Sequence, residues 1–112
     1  MNESQTASER IIEGVTAWPG VEAVMGERGE LSFSVDGQEL GHLHGDRVAH
    51  FGFPRDLGAE LREQGRVGPH PVNRHSPKLA ARGIATDDDV RDVIALMRLN
   101  YERLPSPQPS GA

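Results

Sequence analysis

The chain has 112 residues, enough for one domain with a single modest core but too few for two. Its formal net charge of −5 gives no basic field for nucleic acid or an anionic membrane, so we expect neither as a partner. The absence of cysteine excludes a disulfide framework, a thiolate metal site and a cysteine nucleophile. The polar, acidic N-terminus and the lack of a long apolar run predict a soluble, cytoplasmic protein.

The N-terminal segment predicts a helix after a short unstructured start. We expect residues 1–5 to be disordered, and the capping-box pattern from Thr6 to Glu9 then predicts a helix start. Apolar residues recur at helical spacing along this segment, and Pro19-Gly20 predicts its end. The helix should therefore present one apolar stripe to a core.

A meander of four strands is predicted after this helix. The first two strands are expected at residues 21–25 and 31–35, and the second alternates apolar residues with serines, which is typical of a strand with one wet face. Asp36-Gly37 predicts a two-residue turn of type I′, because both central residues of that turn need φ > 0.

Regular pairing across this turn assigns the residues of the third strand to the two faces of the sheet. Directly paired residues share a face, so Leu40, His42 and His44 are predicted on the apolar face, beside Phe33. Glu39 is predicted on the opposite face. Two histidines would then project toward the core.

The next turn places the third histidine of the segment QELGHLHGDRVAHFGF. If Gly45-Asp46 is also a two-residue turn, His42 pairs with Ala49, and His50 lies on the face opposite the core. If the turn were one residue longer or shorter, His50 would lie on the core face and its neighbours Ala49 and Phe51 on the opposite face.

Two more helices and a last strand complete the predicted domain, which spans residues 6–104. A helix is expected at 54–65 and a weakly patterned strand at 79–85. Thr86, followed by three aspartates, predicts the start of the best-patterned helix. The tail at 105–112 has no apolar surface to bury and is predicted to be disordered.

The predicted fold class is α+β, with an antiparallel sheet of about five strands formed mainly as a meander. The N- and C-terminal helices should pack on one sheet face, and a third, short helix is also predicted. Before the last strand, two prolines hold His70 in an extended, semi-rigid segment. A rigid segment positions a side chain well, so His70 is a candidate site residue.

The pair of histidines on one strand is the clearest chemical feature. His42 and His44 point the same way at a Cα separation of about 6.5 to 7 Å, a spacing compatible with structural histidines, acid–base work or a metal site. A metal site would need a third ligand, with His70 the best candidate and His75 or Glu39 behind it. Our leading expectation is no metal and no other cofactor. No hydrolase elbow, phosphate-binding loop or calcium loop is present.

Four segments together resemble a known family. They are Glu39-Leu40-Gly41-His42-Leu43-His44, Phe53-Pro54 opening a helix, Gly65-Arg66 with His70-Pro71, and Leu96-Met97-Arg98-Leu99-Asn100-Tyr101. In this order they resemble the small bacterial luciferase-domain family, which is related in sequence to the cofactor-independent luciferase of bioluminescent fungi. The resemblance covers roughly residues 20–103. It departs from the family at residues 76–79, where relatives commonly have an aromatic residue.

The resemblance implies a set of polar site residues. The fungal enzyme oxidises a hydroxylated pyrone with molecular oxygen. By motif, the corresponding polar residues of this chain would be Glu39, His42, His44 and His70. No established activity of the small bacterial members carries over.

Two functional hypotheses follow. The first is a small-molecule-binding, cofactor-independent oxygenase-like enzyme in which an imidazole removes a proton from an enol or phenol. In it, Phe33 and Phe51 wall the pocket and Arg47 stabilises the anion. The second is a non-catalytic ligand- or protein-binding module with structural or pH-sensing histidines.

Overall fold

The computed structural model describes residues 5–76 and 78–104. These residues form three α-helices and one six-stranded antiparallel sheet, so the predicted α+β class is confirmed, with about one strand more than expected. The segments predicted to be disordered, 105–112 and all but the last residue of 1–5, lie outside the described residues.

The elements follow one another as a helix, four strands, a helix, two strands and a final helix. Their bounds are α1 Ala7–Thr16, β1 Glu22–Met25, β2 Leu31–Val35, β3 Gln38–His44, β4 Val48–Gly52, α2 Arg55–Glu63, β5 Gly68–Pro69, β6 Leu79–Gly83 and α3 Asp87–Arg103. The strand order across the sheet is β1-β2-β3-β4-β6-β5. The first four strands are the predicted meander. The sequence did not predict β5, a two-residue strand at the sheet edge, where the missing N–H of proline is tolerated.

Both long helices begin at the residues that the sequence indicates. The Thr6 side chain accepts a hydrogen bond from the Glu9 N–H, and the Glu9 carboxylate accepts one from the Thr6 N–H. Thr86 and Asp89 form the equivalent capping box at α3. These reciprocal bonds satisfy backbone donors that the first helical turn leaves free.

One core lies between the sheet and the two long helices. Its residues with no exposed surface come from α1, the central strands and α3: Ile11, Val15, Phe33, Leu40, Ala49, Ala80, Val93, Leu96 and Met97. We call the sheet face in contact with this core the core face, and the opposite one the outer face.

Asp89 joins the start of α3 to the sheet in addition to capping the helix. Its carboxylate accepts hydrogen bonds from the backbone N–H groups of Ala85 and Thr86, and from Nη2 of Arg82 at 2.7 Å. Arg82 lies on β6 and also donates through Nη1 to Asp92 at 2.5 Å. The Arg82 guanidinium, followed by the two backbone N–H groups, holds the pKa of Asp89 well below its usual value.

We expect Asp89→Asn to be less stable than the wild type at neutral pH and the difference to shrink in acid. Because folding lowers the pKa of Asp89 below its ordinary value of 3.8, its stabilising contribution is complete above that pH. The contribution is lost as pH falls through the lower pKa of the folded state. Urea unfolding at a series of pH values from about 7 to about 2 measures the difference.

Asp88→Asn provides the matched control for this prediction. The Asp88 side chain is 84% exposed and lies in the same helical turn, so its replacement should change stability much less. A difference between wild type and Asp89→Asn that stays constant at every pH would contradict the proposed ion pairing.

A candidate site of four histidines on the outer face

The β2–β3 hairpin has the predicted turn. Asp36 and Gly37 have φ values of 51° and 78°, and Val35 pairs with Gln38 across them. Both central residues are therefore in the left-handed region that a type I′ turn requires. The first residues of β3 consequently start in the predicted register.

A β-bulge then shifts the register of β3. Ser34 pairs with Glu39, but Phe33 pairs with Gly41, so Leu40 is an extra residue on the bulged strand. Leu40 and Gly41 are both buried on the core face. Every residue after the bulge therefore points to the face opposite the one that regular alternation predicts.

The predicted placement of His42 and His44 on the apolar face is wrong for this reason. Leu43 occupies the core face of this part of β3, with 1% of its surface exposed. His42 is half-buried and His44 is exposed, both on the outer face. Neither histidine is packed in the core.

The β3–β4 turn also differs from the prediction, since it contains three residues and not two. His44 pairs with Val48 and His42 with His50, so His42 and His50 lie side by side on the outer face. His50 keeps its predicted face, because the bulge and the longer turn each reverse the alternation and their effects cancel in β4. The prediction that separated His50 from the other two is wrong.

The histidine rings of the outer face lie in contact distance of one another. The His42 ring centroid is 4.9 Å from that of His44 and 5.2 Å from that of His50, and the last two are 4.5 Å apart. His70 completes the set at 4.4 Å from His50. The structure thus brings together the three histidines named from the sequence and adds His50.

Small residues allow His70 to approach His50. Ala81 on β6 pairs with His50 on one side and with Gly68 of β5 on the other, so no bulky side chain separates the two rings. His70 follows β5 directly, and its Nδ1 accepts a hydrogen bond from the N–H of Val72 at 3.2 Å.

Glu39 and His42 form the polar pair of the site. Nδ1 of His42 lies 3.0 Å from Oε2 of Glu39, although residues three apart on a regular strand point to opposite faces. The bulge places both side chains on the outer face. The hydrogen bond to Glu39 raises the pKa of His42 against the opposing effect of burial, and the same bond lowers the pKa of Glu39.

His50 is the most buried of the four. Only 8% of its surface is exposed, and its Nε2 has no hydrogen-bond partner among the described residues. Burial, with a smaller contribution from His70 and the other histidines nearby, lowers the pKa of His50 to about 4. The ring is therefore neutral at physiological pH.

These side chains line an open groove of about 580 Å³, which we call the histidine groove. Its lining residues are Glu27, Arg28, Glu30, Ser32, Glu39, His42, His44, His50, His70 and Val72. A second groove of about 590 Å³, beside α1 and α3, has no histidine in its lining.

Three residues predicted to line the pocket lie elsewhere. Phe33 and Phe51 are buried in the core, on the face opposite the histidines, so the prediction that they wall the pocket is wrong. Arg47 is exposed in the β3–β4 turn and is not among the lining residues. The guanidinium that lines the histidine groove belongs to Arg28 from the β1–β2 loop, which the sequence did not single out.

Comparison with known proteins gives one match. Residues 37–100 match the model of a family described as Luciferase domain. The matched segment contains Glu39 and all four histidines of the groove. No curated protein and no solved structure matches the chain. Within residues 5–76 and 78–104, no helix is long and apolar enough to cross a membrane.

Proposed function

The chain belongs to the luciferase-domain family, and from this premise we propose that its histidine groove binds a small, weakly acidic organic molecule and takes a proton from it. The observation that carries the proposal is the Glu39–His42 hydrogen bond, set in a groove with three further imidazoles. An acidic enol or phenol is the chemical class that suits an imidazole base at neutral pH.

Glu39 and His42 have complementary roles in this proposal. A carboxylate only accepts hydrogen bonds, so in the neutral imidazole of His42 the hydrogen is on Nδ1, and Nε2 keeps its lone pair. Nε2 is then available to accept the proton of the bound molecule. The charge of Glu39 stabilises the imidazolium that results.

The finer form of the proposal is a cofactor-independent, oxygenase-like enzyme. The deprotonated molecule is electron-rich and can pass an electron to molecular oxygen, which is the type of reaction that the family resemblance implies. Arg28 supplies a guanidinium close enough to the groove to interact with the anion. The alternative is a non-catalytic module that binds the same molecule without oxidising it.

Binding of para-nitrophenol to metal-free protein tests the proton transfer. We expect the wild type to lower the apparent pKa of the bound phenol by about one unit, equivalent to ~1.4 kcal/mol, because the phenolate pairs with the protonated His42. Absorbance of the phenolate as a function of pH measures this shift. Glu39→Gln should lose most of it, because an amide stabilises the imidazolium less.

His75→Ala is the control for this experiment, since His75 is exposed and lies outside the groove. Its shift should equal that of the wild type. Equal shifts in wild type and Glu39→Gln would contradict the role of the Glu39–His42 pair. Oxygen uptake with a hydroxylated pyrone then separates the alternatives, because a binding module shifts the phenol pKa without consuming oxygen.

A further inference from the structure

We infer that His42, His44 and His50 bind one divalent transition-metal ion of the zinc type in the histidine groove. The inference goes beyond the proposed function, because it requires only the protein and the ion. The ion and the proton of the proposed function compete for Nε2 of His42, so the proton transfer belongs to the metal-free protein. Imidazole nitrogen is a preferred donor for Zn²⁺, Co²⁺ and Ni²⁺, whereas Mg²⁺ and Ca²⁺ prefer oxygen. Three imidazoles beside an open groove leave a coordination position free, as in catalytic zinc sites.

The distances between the donor atoms fit such an ion. One ring nitrogen from each of the three histidines lies within 4.8 Å of the others. Nitrogen donors around a tetrahedral zinc ion, with bonds of about 2.0 to 2.1 Å, lie about 3.4 Å apart. Rotation of the three side chains about their χ angles would bring the nitrogens to this distance when an ion binds.

The backbone positions of the three ligands are fixed by the sheet. His42 and His44 lie two residues apart on β3, and His50 pairs directly with His42 from β4. Both strands are interior to the sheet, so their backbones are hydrogen-bonded on two sides. The three imidazoles are therefore held close together before an ion binds.

Glu39 orients His42 for ligation. Its carboxylate bonds to Nδ1 of His42, which leaves Nε2 free to bind the ion. A carboxylate behind a histidine ligand is common in zinc sites, where it fixes the tautomer and increases the basicity of the imidazole.

Two buried atoms in the same groove have no hydrogen-bond partner among the described residues. They are Nε2 of His50 and Oε2 of Glu30. Buried polar atoms without a partner are rare in folded proteins. A cation bound to the imidazole would give Nε2 of His50 a partner, and the carboxylate of Glu30 would contribute opposite charge to the same groove.

The charge of the groove also favours a cation. Its lining contains three carboxylates, from Glu27, Glu30 and Glu39, and one guanidinium, from Arg28, so negative charge is in excess. A bound divalent ion would cancel this excess of negative charge, and the ion itself would attract an organic anion into the groove.

The test uses the full chain, freed of metal with a chelator and dialysed. Calorimetric titration with Zn²⁺ should show one equivalent bound per chain, and Co²⁺ should give the visible absorption bands of a tetrahedral complex with nitrogen ligands. An excess of Mg²⁺ should not compete. We expect His44→Ala and His50→Ala each to weaken Zn²⁺ binding at least about 100-fold, and Glu39→Gln about 10- to 100-fold.

His75→Ala is the matched control, because it removes an exposed histidine outside the cluster, and it should bind Zn²⁺ as the wild type does. Since His44 is exposed, its replacement leaves the core intact even if His50→Ala fails to fold. Zn²⁺ affinity unchanged in His44→Ala, or no stoichiometric binding by the wild type, would overturn the inference. The para-nitrophenol experiment uses metal-free protein, so the failure of one proposal is distinguishable from that of the other.

Discussion

Replacing Asn100 by leucine should lower the free energy of unfolding by about 3 kcal/mol. Asn100 lies on α3 with 3% of its surface exposed, and its Nδ2 donates to the carbonyl oxygens of Leu40 and Gly52, each at 2.9 Å. Leucine has a similar size but no donor, so both carbonyl groups would lose this partner inside the protein. Each such loss costs about 1 to 3 kcal/mol.

The same substitution should alter the candidate site from a distance. Leu40 is the extra residue of the β3 bulge, and that bulge places Glu39 and His42 on one face. Without the amide of Asn100, we expect the bulge to become mobile and the Glu39–His42 hydrogen bond to weaken. Urea unfolding measures the stability, and the pH titration of the His42 ring resonances by NMR measures the hydrogen bond.

Arg103→Ala is the control for Asn100→Leu. It removes the donor to Oδ1 of Asn100 at 2.8 Å but leaves the two bonds to the sheet in place. Because Arg103 is exposed, we expect a loss below about 1 kcal/mol. If the two variants were equally stable, Asn100 would not hold the bulge.

The parts of the fold that depend on local chemistry could be predicted from the sequence. A hydroxyl and a carboxylate three residues apart predict both long helices at their observed starts, because a capping box involves only residues within one turn. Asp36-Gly37 likewise predicts the first hairpin, since few residue pairs accept φ > 0 at both positions.

The bulge could not be predicted by regular alternation because distant residues stabilise it. The carbonyl oxygen of Leu40 accepts a hydrogen bond from the side chain of Asn100, which lies 60 residues further along the chain. The structure shows what the bulge achieves: Leu40 and Leu43 are both core residues, and two residues three apart cannot share a face of a regular strand. An extra residue between them resolves the conflict.

The sequence therefore predicted Glu39 and three of the four histidines of the candidate site, but not the face on which the histidines lie. His42, His44 and His70 do lie together, yet on the outer face and without Phe33 or Phe51. Phe51 nevertheless lies on the core face, as predicted, because the bulge in β3 and the extra residue of the β3–β4 turn each shift the register by one residue and cancel in β4. His50 lies beside His42 because the β3–β4 turn has three residues. The amino-acid sequence of that turn does not determine its length.

Gly41→Ala should lower the free energy of unfolding by about 1 to 3 kcal/mol, and Gly41→Val by more. A Cβ atom at Gly41 would lie 2.9 Å from Cδ1 of Phe51 and 3.2 Å from the carbonyl oxygen of His50. Phe51 is 2% exposed and stacks on Phe53, so its ring has no free space into which to move. The strands must separate instead, which displaces His50 from His42. Urea unfolding gives the loss of stability, and Zn²⁺ titration gives the effect on the site.

Gly83→Ala tests whether this effect comes from the close contact and not from a general need for glycine in the sheet. Gly83 lies on β6, and a Cβ atom there would have no heavy atom within 4 Å apart from those of Gly83 and its two chain neighbours. We expect this variant to be neutral or more stable by up to about 1 kcal/mol, since alanine reduces the entropy of the unfolded chain. If Gly41→Ala behaved in the same way, the bulge would tolerate a side chain. The face on which the histidines lie would then not depend on the contact between Gly41 and Phe51.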